Sequence, residues 1–335
     1  MTLRSFAFAL PSIKQTAHDI AAQCDSDADF IMNKVGLHER YILGPDETGV
    51  SLSTQAAENL LERFPGLKEK ISLVVCVTQN PDRPMPHNAA QVAAALGMPH
   101  SVASFDISLG CSGYVYALKA VEGFLAATGS TDALLITCDP YSRIIAPEDR
   151  STNCIFGDAA AASWISAGGE PSNEALAGEM VGHAFGSAAD EGCGLEIKAG
   201  GVAKPFVQIS DTETQDYDRD DLKLHMYGRP IFNFVQKKVP GNIQAALDMA
   251  SLELDDIDHF VLHQGSSYML KALARRMRIP VEKVMINMDK YGNTVSSTLP
   301  ICLSELEARD DLKGKTVLLS GFGVGLSFGS IVVKF

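Results

Sequence analysis

Residues 104–118 read SFDISLGCSGYVYAL. Ser104–Leu109 suits a strand, and Cys111 opens a helix that the pattern carries to Ala127. Gly110 and Gly113 permit a tight turn between the two. A strand that passes straight into a helix is the unit of an α/β protein. Working outward, ISLVVCVT (71–78) and ALLITC (133–138) are short apolar, β-branched runs, as for strands buried on both faces. HNAAQVAAAL (87–96) is Ala-rich and helical. FGDAAAASWI (156–165) begins with a turn and ends in a short strand, and Ser5–Leu10 reads as the first strand rather than as a signal peptide. GGEP (168–171) then breaks the pattern, which divides the chain into halves 1–167 and 168–335.

The second half repeats the first. IDHFVLH (257–263) parallels ISLVVCVT, each followed by a glutamine, Gln264 and Gln79, at an offset of 185 residues. The strand VMINM (284–288) places Asn293 opposite Cys111, an offset of 182, and VLLS (317–320) matches LLIT (134–137) at 183. Three landmarks at nearly one offset point to a duplicated βαβ unit and two mostly parallel sheets covered by helices. Ligand sites in such sheets gather at the carboxyl ends of strands. Cys111, His263, Asn293 and the Gly321–Gly325 loop each follow a predicted strand directly.

Composition narrows the function. The 335 residues carry 28 Lys and Arg against 41 Asp and Glu, a net charge of −13, which argues against a nucleic-acid binder. No apolar run approaches the ~18 residues of a membrane span. The cysteines are Cys24, Cys76, Cys111, Cys138, Cys154, Cys193 and Cys302, scattered, odd in number and without a C-x-x-C pair. That argues against a disulfide framework or a zinc site and fits reduced thiols in the cytoplasm.

Of these, Cys111 alone sits between glycines at a strand-to-helix turn. The positive end of a helix dipole favours a thiolate there, so a nucleophile is expected. His263 ends an apolar strand, and Asn293 lies in good turn chemistry. Alone each is weak. Together, a thiol, an imidazole and an amide supply a nucleophile and two hydrogen-bond donors for a developing negative charge. The stretch GFGVG (321–325) lacks the following helix and acidic residue of a dinucleotide loop. It reads as a hairpin whose backbone N–H groups face the site. Asp216, Asp218 and Asp220 lack the Gly and Glu of a calcium loop and read as solvated.

Five motifs taken in order resemble the beta-ketoacyl-acyl carrier protein synthase III family of the thiolase superfamily. They are DISLGCSGYVYAL (106–118), DRSTNCIFGDAAAA (149–162), His263-Gln264, YGNTVSSTLP (291–300) and GFGVGLSFGSIVVKF (321–335). The resemblance implies a thiolase-like fold of two duplicated halves in a layered α-β-α-β-α arrangement. It also implies a homodimer. Cys111 would take an acyl group from an acyl-CoA, while His263 and Asn293 assist decarboxylation of malonyl-acyl carrier protein. The backbone N–H groups of Cys111 and Val324 would form the oxyanion hole. The product is a 3-oxoacyl-acyl carrier protein, in fatty acid or specialised polyketide biosynthesis. No metal or redox cofactor is called for; the coenzyme A thioester is a substrate.

Departures from the family's pattern point to a specialised member. Phe30 and Lys34 stand near where Trp and Arg meet the coenzyme A adenine, while Arg150 is kept. His-Gln-Gly-Ser (263–266) replaces His-Gln-Ala-Asn, and Tyr268 replaces an Arg. Met85 falls where a partner-subunit residue, commonly aromatic, shapes the acyl pocket. Lys271, Arg275 and Arg278 lie at i, i+4 and i+7 of one predicted helix, beside Arg276, and would dock the acidic carrier protein. The alternatives are an acyltransferase or thioesterase using the same cysteine without condensation, and a non-catalytic partner of another subunit. Retention of His263 and Asn293 speaks against the first and Cys111 against the second.

Overall fold

The structure is a computed structural model that describes residues 1–167, 175–192, 194–205 and 218–335. Nine strands form one sheet: β1 (Thr2–Ala9), β2 (Ile71–Val77), β3 (Ala103–Ile107), β4 (Asp132–Cys138), β5 (Ala160–Ser166), β6 (Gly178–Ser187), β7 (His259–Leu262), β8 (Thr316–Gly323) and β9 (Ser327–Lys334). Their spatial order is β7-β8-β9-β6-β1-β5-β4-β2-β3. Among the described residues, the two halves of the sheet pair where Thr2 and Leu3 meet Glu179 and Gly178.

Six longer helices cover the sheet: α1 (Gly49–Leu61), α2 (Asn88–Ala95), α3 (Gly113–Thr128), α4 (Gly228–Ala250), α5 (Ser267–Met277) and α6 (Thr298–Ala308). Strand side chains alternate between faces. In β2, Leu73, Val75 and Val77 join the central core with α3 and α6, while Val74 and Cys76 face α1 and α2. In β8, Val317 and Leu319 enter the same central core, and Leu318 and Phe322 face α4 and α5. The layers therefore run α1/α2, sheet, α3/α6, sheet, α4/α5. Burial on both faces explains why these strands read as unbroken apolar runs.

Four strands of each half follow one pattern, and β3 is a fifth in the first half. β2 lies parallel to β4, which is antiparallel to β5, which is antiparallel to β1. Likewise β7 lies parallel to β8, which is antiparallel to β9, which is antiparallel to β6. The expectation of mostly parallel sheets is thus corrected. Only the β2–β3, β2–β4 and β7–β8 pairs are parallel. β9 returns from β8 by a hairpin, and β5 returns from β4 through a connection holding only short helical turns, and both run antiparallel. A second correction concerns VMINM: only Val284 bridges Phe260, and Met288–Tyr291 is a helical turn. The break GGEP and Cys193 lie outside the described residues, as does Asp216; Asp218 caps a short 3₁₀ turn through the Asp220 N–H. The six described cysteines are free and buried.

Candidate active site

The strand-to-helix turn of residues 108–113 sets Cys111 two positions before the first residue of α3. Its side chain is 4% exposed and packs against β8 at Gly323, where an added Cβ would lie 2.6 Å from the Cys111 Cβ and 2.9 Å from Sγ. Only glycine allows that approach. Just beyond, the β8–β9 turn carries Val324. Burial, then the charge of Asp139, pushes the Cys111 thiol up to about 12, against the pull of the N–H groups of Val324 and of Cys111 itself. The thiolate expected from the helix dipole is therefore corrected. The resting thiol is neutral because burial and a buried carboxylate outweigh the dipole. The two N–H groups that face the sulfur are those expected as the oxyanion hole.

His263 follows β7 and is 2% exposed. Its backbone N–H donates to Ser320 O at 2.9 Å, and Phe322 meets the ring edge-on, with centroids 5.7 Å apart at 88°. Burial pushes its pKa down to about 3, so the imidazole is neutral at physiological pH. Nδ1 lies 2.9 Å from Thr298 Oγ1. The next residue, Gln264, braces the loop by donating to Leu262 O and Met285 O and accepting from Asn287 N–H.

Asn293 is held on both sides of its peptide. Its N–H donates to Ile155 O at 2.9 Å, and its carbonyl accepts from Gly157 N–H at 3.0 Å. Its Oδ1 accepts from Val295 N–H at 2.9 Å, which leaves the amide NH₂ as the end with donors to spare. Val295 adopts φ +55°, a left-handed backbone that costs a β-branched residue about 1–3 kcal/mol. That strain lets one residue orient two others: its N–H fixes Asn293, and its carbonyl accepts from the Thr298 hydroxyl at 3.0 Å.

Cys111, His263 and Asn293 line one cavity of ≈ 320 Å³, together with Val324 and Phe322. Ile231, Val235 and Met269 give it apolar lining, and Phe232 stacks on the exposed Tyr268, with centroids 5.7 Å apart. A largely apolar cavity whose lining includes a thiol and two neutral polar groups suits a thioester.

The other sequence-predicted residues lie outside this cavity. Arg150, at the start of the one-turn helix Arg150–Asn153, stacks over Phe30 at 4.5 Å, forming a cation–π clamp. Ile155 and Phe156, which line the cavity, follow within six residues. Lys34 is exposed, and Met85 is 83% exposed on the loop before α2. Lys271, Arg275 and Arg276 are exposed on α5 and form no salt bridge with any described residue. Lys237 and Lys238, by contrast, both pair with Glu191.

Sequence reasoning missed Thr298, Asp139 and Tyr141. Asp139 is fully buried and accepts from Gln79 N–H at 2.7 Å and Ser296 Oγ at 2.5 Å, with its pKa pushed up to about 6 by burial. A carboxylate at the end of an apolar strand, ALLITCD, was the available signal. Among the described residues, no helix is long and apolar enough to cross a membrane.

Known proteins share the family signature and the fold. Residues 105–182 match the model of 3-oxoacyl-[acyl-carrier-protein] synthase III, and residues 247–335 match the model of its C-terminal part. The chain is 34% identical over 330 residues to beta-ketoacyl-[acyl-carrier-protein] synthase III 2 of Lactiplantibacillus plantarum, covering 98% of this chain and 97% of that one. It is 34% identical to the synthase III of Streptococcus agalactiae over 94% of this chain and 93% of that one. A crystal structure of a 3-oxoacyl-(acyl-carrier-protein) synthase III superposes with a TM-score of 0.90 at 33% identity, covering 100% of this chain and 99% of that one. That of the Pseudomonas aeruginosa PAO1 synthase III superposes at 0.86 and 28% identity, covering 100% and 98%.

Proposed function

The chain belongs to the 3-oxoacyl-[acyl-carrier-protein] synthase III family, and on that premise we propose that it performs a two-stage decarboxylating condensation. The observation that carries this reading is the convergence of Cys111, His263 and Asn293 on one cavity, with the Val324 N–H facing the thiol.

In the first stage the Cys111 sulfur attacks the carbonyl carbon of an acyl-CoA. The bond to the coenzyme A sulfur breaks, and the thiol proton ends on that sulfur. The N–H groups of Cys111 and Val324 hold the oxyanion of the tetrahedral intermediate. In the second stage malonyl-acyl carrier protein enters the vacated cavity. Its carboxylate leaves as carbon dioxide, and the electron pair delocalises onto the thioester oxygen between His263 and Asn293. A neutral imidazole and an amide stabilise this enolate without quenching it by protonation. The enolate carbon then attacks the acyl-Cys111 carbonyl. The thioester bond breaks, the 3-oxoacyl-carrier protein departs, and Cys111 takes up a proton.

The Phe30–Arg150 clamp would hold the coenzyme A nucleotide, with Lys34 nearby for its phosphates. Lys271, Arg275 and Arg276 would dock the acidic carrier protein, a surface the chain needs because its own charge is −13. The protein works as a cytoplasmic homodimer in this reading. Support comes from β3, an outer strand of the sheet, and from the exposed Met85 loop, tied to β3 by His87 Nε2 and Ser104 Oγ at 3.3 Å. Met85 would then reach the acyl end of the partner's site. The test is product analysis. Acyl-CoA and malonyl-carrier protein together should yield carbon dioxide and 3-oxoacyl-carrier protein in equal amounts. Acyl transfer to water or to the carrier without carbon dioxide would replace this reading with simple acyl transfer.

A further inference from the structure

A second cleft, of ≈ 170 Å³, shares Leu195 and Val324 with the Cys111 cavity and lies beyond them. Ile144 and Leu224 supply apolar wall, and Gln79, Tyr141 and Glu196 supply polar groups. Two contacts tie this cleft to the nucleophile. A Cβ added at Gly110 would lie 2.5 Å from Gln79 Oε1 and 3.2 Å from Val324 Cγ1, so the Gln79 side chain folds over the residue next to Cys111. Tyr141 belongs to the same apolar cluster as Cys111, Leu195, Leu224 and Val324. Burial, then the charge of Asp139, pushes the Tyr141 phenol upward, which keeps it a hydrogen-bond donor.

The Tyr141 hydroxyl is under-partnered. The residue is 3% exposed, yet its hydroxyl reaches only Gln79 Oε1 among the described residues, at 3.5 Å. A good O–H···O bond spans about 2.5–3.0 Å, and buried tyrosine hydroxyls ordinarily find a full partner. Room for such a partner exists in the cleft itself. An engineered apolar cavity of ~150 Å³ takes one benzene, so this cleft accommodates a group of about six heavy atoms. Its polar end offers a donor (Tyr141 O–H), an amide that both gives and accepts (Gln79) and a carboxylate (Glu196). A hydroxyl, which also gives and accepts, complements that set, whereas a carboxylate would meet Glu196 and Asp139 as like charges.

Resting on the reading of Cys111 as acyl acceptor, we propose that this cleft seats the acyl chain and selects a short, hydroxyl-bearing acyl group, read by Tyr141 and Gln79. A methyl-ended chain of the same length leaves the two polar groups unpaired, and sites built to bond a hydroxyl discriminate strongly against analogues that lack it.

The experiment follows self-acylation of Cys111 by intact mass with acetyl-, butyryl-, 3-hydroxybutyryl-, 4-hydroxybutyryl- and succinyl-CoA. One of the two hydroxybutyryl thioesters should acylate at least about tenfold faster than butyryl-CoA, and succinyl-CoA should be slowest. In Tyr141→Phe and in Gln79→Leu, the hydroxybutyryl-to-butyryl ratio should fall to within about twofold of unity; a ratio within one protein cancels any loss of folded enzyme. Butyryl-CoA equal to or faster than both hydroxybutyryl thioesters in the wild type, with acetyl-CoA active, would overturn the inference and leave the reading of Cys111 standing. A preference that survives in either variant would also overturn it, and Gln79→Leu, at the exposed rim, decides the matter if Tyr141→Phe does not fold. Failure of all five thioesters to label Cys111 would remove the reading itself.

Discussion

The Nδ1 atom of His263 lies 2.9 Å from the Thr298 hydroxyl, and that hydroxyl is within 3.0 Å of the Val295 carbonyl. The hydroxyl has one proton for two acceptors. When it donates to Val295, His263 carries its proton on Nδ1 and Nε2 is bare. When it turns to Nδ1, Nε2 carries the proton and becomes the donor that an enolate oxygen needs. On the proposed mechanism Thr298, together with the Val295 carbonyl that also bonds the imidazole, positions the tautomer. Thr298→Val should slow malonyl decarboxylation about ten- to hundredfold with self-acylation nearly unchanged, and Thr298→Ser should restore it. Equal loss in both half-reactions would mean a purely structural role.

His263→Ala and Asn293→Ala each remove one of the two proposed enolate donors. Both variants should acylate at Cys111 but release carbon dioxide ~10²–10³-fold more slowly. Because burial holds the His263 pKa near 3, the decarboxylation rate should show no histidine inflection between pH 5 and 8. Loss of acylation with decarboxylation intact would contradict both roles.

Asp139 opposes ionisation of Cys111. Above pH 6 it is charged and helps hold the thiol near 12. Asp139→Asn should therefore increase iodoacetamide alkylation of Cys111 about tenfold at pH 8. Stability follows with a definite sign. A folded pKa near 6 exceeds the ~3.8 of the unfolded chain, so the native state binds the extra proton between those values. The wild type should lose stability from this group as pH rises from about 4 to 6, and Asp139→Asn should flatten that slope in denaturation midpoints.

Charge reversal at Arg275 and Arg276 should weaken the carrier-protein step alone. The double Glu variant should lose about tenfold in kcat/KM for malonyl-carrier protein at low salt and less at high salt. Self-acylation from acyl-CoA, for which the Phe30–Arg150 clamp is the proposed handle, should stay unchanged. No loss in either step would show α5 to be a solvated face.

The strands and helices were legible because burial on both faces writes unbroken apolar runs into β2, β4 and β8. Relative strand direction was not legible: β5 and β9 carry the same apolar pattern whether they run parallel or antiparallel. VMINM misled because Met288 is buried in a helical turn, where its apolar side chain meets the same need as in a strand. Cys111 and His263 each follow a strand, which is the signal that marked them, whereas Asn293, marked by the same expectation, follows the helical turn Met288–Tyr291. The ionisation of Cys111 was not legible, since it turns on Asp139, 28 positions away in sequence, and on how deeply the turn sinks against Gly323. Thr298 and Tyr141 left no local signature, because their importance lies in which polar atom each one faces.

The central claim is that one thiol carries the acyl group and then surrenders it to a malonyl-derived carbanion. Intact mass of the enzyme after acyl-CoA, followed by addition of malonyl-carrier protein, tests it most directly. The account predicts a single acyl adduct that maps to Cys111 and is absent in Cys111→Ala. That adduct should disappear on chase as 3-oxoacyl-carrier protein forms in equal amount. An adduct that persists in Cys111→Ala, or that leaves as free acid while the malonyl-carrier protein stays intact, would contradict it.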